Sequence, residues 1–148
     1  IETIALAAPL SDLGNVAIPT DILQKKESLL PEELAVIQTH TTVGAKILQD
    51  IRNTGDYNDF LQMSIDIAHY HHENWDGSGY PCGKKGEEIP LSAQILSVVS
   101  SYCAITETRV YRHSYDIDAA FELMEADAGK KFNPDIFLIL RKIRRQLH

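Results

Sequence analysis

The stretch Phe60-Leu61-Gln62-Met63-Ser64-Ile65-Asp66-Ile67-Ala68-His69-Tyr70-His71-His72-Glu73-Asn74-Trp75-Asp76-Gly77-Ser78-Gly79-Tyr80-Pro81 decides how this chain is read. In its first half Phe60, Met63, Ile67 and Tyr70 recur every three or four residues, the period of an amphipathic helix. That helix runs straight into two adjacent imidazoles, His71 and His72, and so aims them. Asp76 to Pro81 then reads as tight turns, with glycines where the backbone must reach angles closed to other residues. Neutral imidazole nitrogens are good ligands for a transition metal. A His-His pair is also what a helix C-terminus favours with no metal at all. Packing alone, however, gives no reason for the glycine-rich loop beside it.

Working outward, the helical period repeats along the chain. Ile1, Ile4, Ala5 and Ala8 fit helical spacing until Gly14 and Pro19 break it, which delivers Ser11 and Asp12 to a loop. Pro31-Glu32-Glu33 places proline and acids where a helix start favours them, and the segment runs through Leu34, Ile37 and His40. Another turn or two is expected through Val43, Ile47, Leu48 and Ile51, followed by a loop at Asn53-Thr54-Gly55-Asp56. Pro90 opens a long amphipathic helix carrying Leu91, Ile95, Val98, Tyr102 and Ile105, with Ser97, Ser100 and Ser101 on its flanks. Ile117, Ala120, Phe121 and Met124 make a further helix expected to end at Gly129. Asn133-Pro134 pairs a cap with a first helical position for a last helix through Ile136, Leu140, Ile143 and Leu147. The cations Arg141, Lys142, Arg144 and Arg145 read as a solvated helix end. Period-two alternation is sustained nowhere, so the fold class is all-α.

Composition narrows the function. The chain has 148 residues, enough for one domain with its own core, and a net charge of -7. That charge argues against binding a nucleic acid polymer or an anionic membrane, although a few arginines in a pocket still suffice for a phosphorylated ligand. Two cysteines, Cys82 and Cys103, form neither a disulfide framework nor a CxxC motif, so a reducing cytoplasm is the expected setting. No apolar run is long enough to cross a bilayer. The chain opens without an initiator Met and inside an apolar helical pattern, so an output domain of a larger protein is expected.

The string from His71 to Pro81 resembles the signature of the HD-GYP family, a branch of the HD superfamily of metal-dependent phosphohydrolases. Leu10-Ser11-Asp12-Leu13-Gly14-Asn15-Val16-Ala17-Ile18-Pro19 is similar to that family's His-Asp segment, with Ser11 at the histidine and Asn15 at a lysine. His40-Thr41-Thr42-Val43-Gly44-Ala45-Lys46-Ile47-Leu48 resembles the segment that supplies the next histidine. Gly86-Glu87-Glu88-Ile89-Pro90 resembles the stretch before a helix that carries two aspartates in the family, where this chain has Ser100 and Cys103. Arg109-Val110-Tyr111-Arg112 resembles an element whose two cations contact the dinucleotide phosphates, and Phe132-Asn133-Pro134 a late Phe-Asp-Pro.

The resemblance implies an all-α helical bundle of the HD superfamily, truncated at its N-terminal helices and occupying residues 1–148 as one domain. It implies metal-dependent hydrolysis of cyclic di-GMP, with one metal held by Asp12, His40, His71 and His72. A second metal would need ligands where Ser11 and Ser100 stand. Serine is neutral and weakly basic and offsets little of a divalent ion's charge. One divalent transition metal (Fe, Mn, Zn or Ni) is therefore expected, against a competing metal-free site with the histidines packed around water. Hydrolysis is expected to be impaired or absent. The alternatives are a slow single-metal phosphodiesterase, or a module that binds cyclic di-GMP through Arg109 and Arg112 or docks a GGDEF-type signalling domain through Gly77, Gly79, Tyr80 and Pro81. Glu73 and Asp76 are expected to orient the loop or the metal ligands rather than bind metal themselves, and His69 and His113 to be solvated or to make local hydrogen bonds.

Overall fold

The computed structural model describes residues 2–54, 59–106 and 117–143, and among them every regular element is helical. The chain forms two compact units, one of residues 1–72 and 80–82, the other of residues 73–79 and 83–148.

In the first unit, α1 (Glu2–Ala7) gives way to 3-10 turns at Ala8–Leu10 and Leu13–Ala17. Pro9 sits at the start of the first turn, and Asp12 falls between the two. A short α2 (Thr20–Leu23) leads to α3 (Pro31–Gln38), whose start is fixed by Glu33 Oε2 accepting the Leu30 N–H at 2.9 Å. The sequence carried this helix on to His40, and the chain instead breaks at Thr39. A separate α4 (His40–Thr54) begins there, takes in Val43, Ile47, Leu48 and Ile51 as expected, and ends with Asn53 and Thr54, which were expected in the loop; Gly55 and Asp56 lie outside the described residues. The interruption is one residue wide: Thr39 keeps helical angles (φ −65°, ψ −15°), and its N–H bonds to the Val36 carbonyl at 3.1 Å, a tightened turn at the junction. α5 (Asp59–Tyr70) follows and ends immediately before the paired histidines, as its period predicts. Ala45, Leu48, Ile65 and Ala68 form the buried core between α4 and α5, with Leu10 and Leu13 packed on it.

The second unit is built on α6 (Leu91–Thr106), α7 (Ile117–Glu125) and α8 (Pro134–Ile143). Val98, Phe121, Met124, Phe132 and Phe137 form its core, with Tyr102, Ile105 and Leu140 against them. α7 stops one turn short of the expected Gly129, which lies beyond the helix at φ +83°, its N–H bonded to the Phe132 carbonyl. Asn133 caps α8 as predicted: its Oδ1 accepts the Asp135 N–H at 2.9 Å. Its amide also donates to Gln94 Oε1 at 3.0 Å, and Gln94 donates to the Ile89 carbonyl at 2.8 Å. Ser97, read as flanking, is buried in this unit, whereas Ser100 is exposed.

Candidate metal centre

Asp12, His40, His71 and His72 converge from three places in the chain. Each offers one ligand atom, and these atoms all lie within 4.8 Å of one another. α4 supplies His40 from its first residue, and the end of α5 supplies His71 and His72. Asp12 comes from the junction between the 3-10 turns, which is held against α4 by a close backbone approach. A Cβ built on Gly14 would land in the His40 carbonyl and 2.7 Å from the Gly44 nitrogen. Only a residue without a side chain lets this turn reach α4. Gly14 appeared in the sequence merely as a break in a pattern, and its pairing with the in-helix Gly44 is the signal that marks a close approach.

Local hydrogen bonds fix the state of two imidazoles. Nδ1 of His40 lies 2.7 Å from the Ile37 carbonyl and Nδ1 of His71 lies 2.7 Å from the Ile67 carbonyl. A carbonyl can only accept, so Nδ1 carries the proton in each, and in the neutral ring Nε2 presents a lone pair. Both Nε2 atoms are buried without a hydrogen-bond partner. They face the same Asp12 oxygen, at 3.3 Å from His40 and 3.5 Å from His71. Two lone pairs and a carboxylate turned on one point repel each other unless a cation lies between them, either a proton or a metal.

The electrostatics agree with this reading. The imidazole of His40, and then that of His71, hold the Asp12 carboxyl well below the usual carboxylate range. The Asp12 carboxylate raises the His40 pKa from its ordinary value, against the opposing effect of burial. A carbonyl on Nδ1 and an open Nε2 is the arrangement that prepares histidine for a metal. The donor set, three imidazoles and one carboxylate, therefore fits a divalent transition metal.

Around the cluster, the Tyr80 ring stacks on His72 with centroids 4.9 Å apart, and the Tyr80 N–H donates to the His72 carbonyl. Sequence reasoning placed Tyr80 and Pro81 in an interaction loop and missed this packing role. The same two residues border a groove of about 260 Å³ with Ala35, Gln38, Thr39 and Thr42. Gly77 lies in the second unit at φ +86°, and Gly79 is half-buried there. Glu73 and Asp76 hold the loop as expected. Buried Glu73 accepts the Lys84 N–H at 3.0 Å, and Asp76 accepts the Ser78 N–H at 2.9 Å. His69 stacks on Tyr70 and lies 4.0 Å from Cys82 Sγ.

Of the substituted positions, Ser11 and Asn15 flank Asp12 and are half-buried, while Ser100 and Cys103 are exposed on α6. Arg109, Arg112 and His113 lie outside the described residues.

The HD domain family model matches residues 1–136. The chain belongs to the HD domain family. Within it the motifs place the chain in the HD-GYP branch, in accord with its curated relatives. A cyclic di-GMP phosphodiesterase of Thermotoga maritima is 37% identical over 147 residues, covering 99% of this HD domain and 39% of the relative. The cyclic di-GMP phosphodiesterase response regulator RpfG of Xanthomonas campestris is 38% identical over 147 residues, with 99% and 38% covered. A 3'3'-cGAMP-specific phosphodiesterase 2 of Vibrio cholerae is 34% identical over 139 residues, with 94% and 26% covered. This HD domain thus spans about two-fifths or less of the length of these relatives. No helix among its described residues is long and apolar enough to cross a membrane.

Proposed function

We propose that this chain is a degenerate HD-GYP domain of cyclic dinucleotide signalling in the cytoplasm. In this reading it holds one divalent transition metal through Asp12, His40, His71 and His72 and hydrolyses cyclic di-GMP poorly or not at all. The observation that carries the reading is the pair of buried, unpartnered Nε2 atoms turned on Asp12, within a chain that has Ser11, Asn15, Ser100 and Cys103 at the family's other polar positions. The names of the relatives supply the substrate class.

When bound, the metal supplies Lewis-acid polarisation of a phosphoryl oxygen. The chain's own residues do the rest. Ile37 and Ile67 hold the imidazoles of His40 and His71 in one tautomer, Asp12 offsets cationic charge, and Tyr80 braces His72. What is missing is the means to finish the reaction. The resemblance gives charge stabilisation and proton transfer to a lysine and an aspartate where this chain has Asn15 and Cys103, so both kinds of assistance are weakened in this reading. Each such loss costs on the order of a hundredfold in rate, and several together remove useful turnover. The direct test is product formation from cyclic di-GMP by the Mn- or Fe-loaded chain. Little or no product above the rate of the metal ion alone is expected, and robust turnover refutes the reading.

Metal affinity is expected to fall with pH. Protons and metal compete for His40 Nε2, and the His40 pKa is raised. Below that raised value the metal must displace a proton, which costs about tenfold in apparent affinity per pH unit for each proton released. Above it the affinity levels off. Asp12 stays ionised throughout this range and adds no step of its own. Chelator competition across neutral and mildly acidic pH checks this, and a flat profile contradicts it.

A further inference from the structure

The outer face of α8 is apolar at its centre and charged at its ends. Leu138, Ile139 and Ile143 are 50%, 59% and 41% exposed, although Phe137 on the opposite face is fully packed. Helical spacing puts Asp135, Leu138, Ile139, Lys142 and Ile143 on one stripe, three or four residues apart. Neither Asp135 nor Lys142 forms an ion pair with another described residue, whereas Arg141, to one side of the stripe, pairs with Glu125 of α7 at 3.2 Å.

The stripe is complementary to itself. The point midway between Leu138 and Ile139 is also midway between Asp135 and Lys142. Two copies of α8 laid antiparallel about that point bring Leu138 of each against Ile139 of the other. Asp135 of each then meets Lys142 of the other, one pair at each end of the apolar patch. A two-fold contact of this kind repeats every favourable pairing and leaves no like charges opposed. A parallel arrangement in register would put lysine on lysine.

We infer that α8 is a homodimer contact, and that the partner covering this face is a second copy of the chain. The contact is small, so the dimer is weak, with a Kd in the micromolar to submillimolar range.

Sedimentation equilibrium of the full chain tests this with a charge-reversal set. Asp135→Lys and Lys142→Glu each place like charges opposite one another and are expected to raise the dimer Kd about tenfold. The double variant restores opposite charges in swapped positions and is expected to return Kd to near its starting value. Leu138→Asp abolishes the dimer, with helix content by circular dichroism confirming that the fold survives. All three sites are on the surface, so the metal content should be unchanged throughout. A chain that stays monomeric up to about 1 mM overturns the inference, as does a dimer indifferent to charge reversal. In either case the face belongs to another occupant, such as a further segment of a longer protein.

Discussion

Replacing His71 by alanine is expected to strip the metal from the chain while leaving its helices in place. His71 is one of two imidazoles whose proton is pinned to a backbone carbonyl and whose open nitrogen is buried against Asp12. Removing it deletes a neutral ligand and leaves a pocket where Asp12 and His40 form a simple ion pair. Loss of a direct ligand exceeds the 10- to 100-fold cost typical of residues that only orient ligands, so affinity should fall by more than about 100-fold. Bound metal at equal loading should drop from one equivalent to under about a tenth. A further consequence is thermodynamic. A ligand present at a hundred times its Kd stabilises the fold by about 2.7 kcal/mol, and the variant should lose that metal-dependent increment in Tm. Metal content and the Tm shift on adding Mn should therefore vanish together. A His71→Ala chain that keeps its metal shows that the ion sits elsewhere.

The second large effect is expected at a residue that touches no metal. Gly14→Ala forces a Cβ into the His40 carbonyl, and both obstructing groups are backbone, which cannot swing away. The 3-10 turn must move off α4, carrying Asp12 with it. The cost is on the order of 3 kcal/mol, at the upper end for overpacking. Metal affinity should fall with it, because the carboxylate is only two residues away. Gly44→Ala offers a contrast within the same contact. Its Cβ would come 3.1 Å from the Gly14 nitrogen, a tight fit but not an overlap, and alanine in a helix interior regains roughly 1 kcal/mol over glycine. Gly44→Ala should thus be close to neutral in urea unfolding while Gly14→Ala is not. Equal effects at the two positions would mean that the turn is not held by this approach.

Much of the fold was legible because the apolar spacing is regular. The α5 stripe through Phe60, Met63 and Ile67 runs into His71 as read, and the Asn133-Pro134 cap forms. The boundaries that failed were set by interactions weaker than the period. A one-residue tightened turn at Thr39 divides one expected helix into α3 and α4 and so places His40 at a helix start. Gly129 was expected to end α7, but it takes its positive φ in the turn that follows, one turn after the helix has ended. For the metal centre, residue types and motif order identified the four candidate ligands, and folding brings all four together. What the sequence could not express was how they are held. The Ile37 and Ile67 carbonyls act through backbone atoms that carry no side-chain signature, and the stacking of Tyr80 on His72 depends on the path of the loop.

The central claim is that this chain keeps one complete half of a metal centre and lacks the other. Titration of the metal-free chain with Mn or Zn, with bound metal counted directly, tests it most directly. The account predicts saturation at one tightly bound ion per chain. Two or more tight ions per chain, or none, would contradict it.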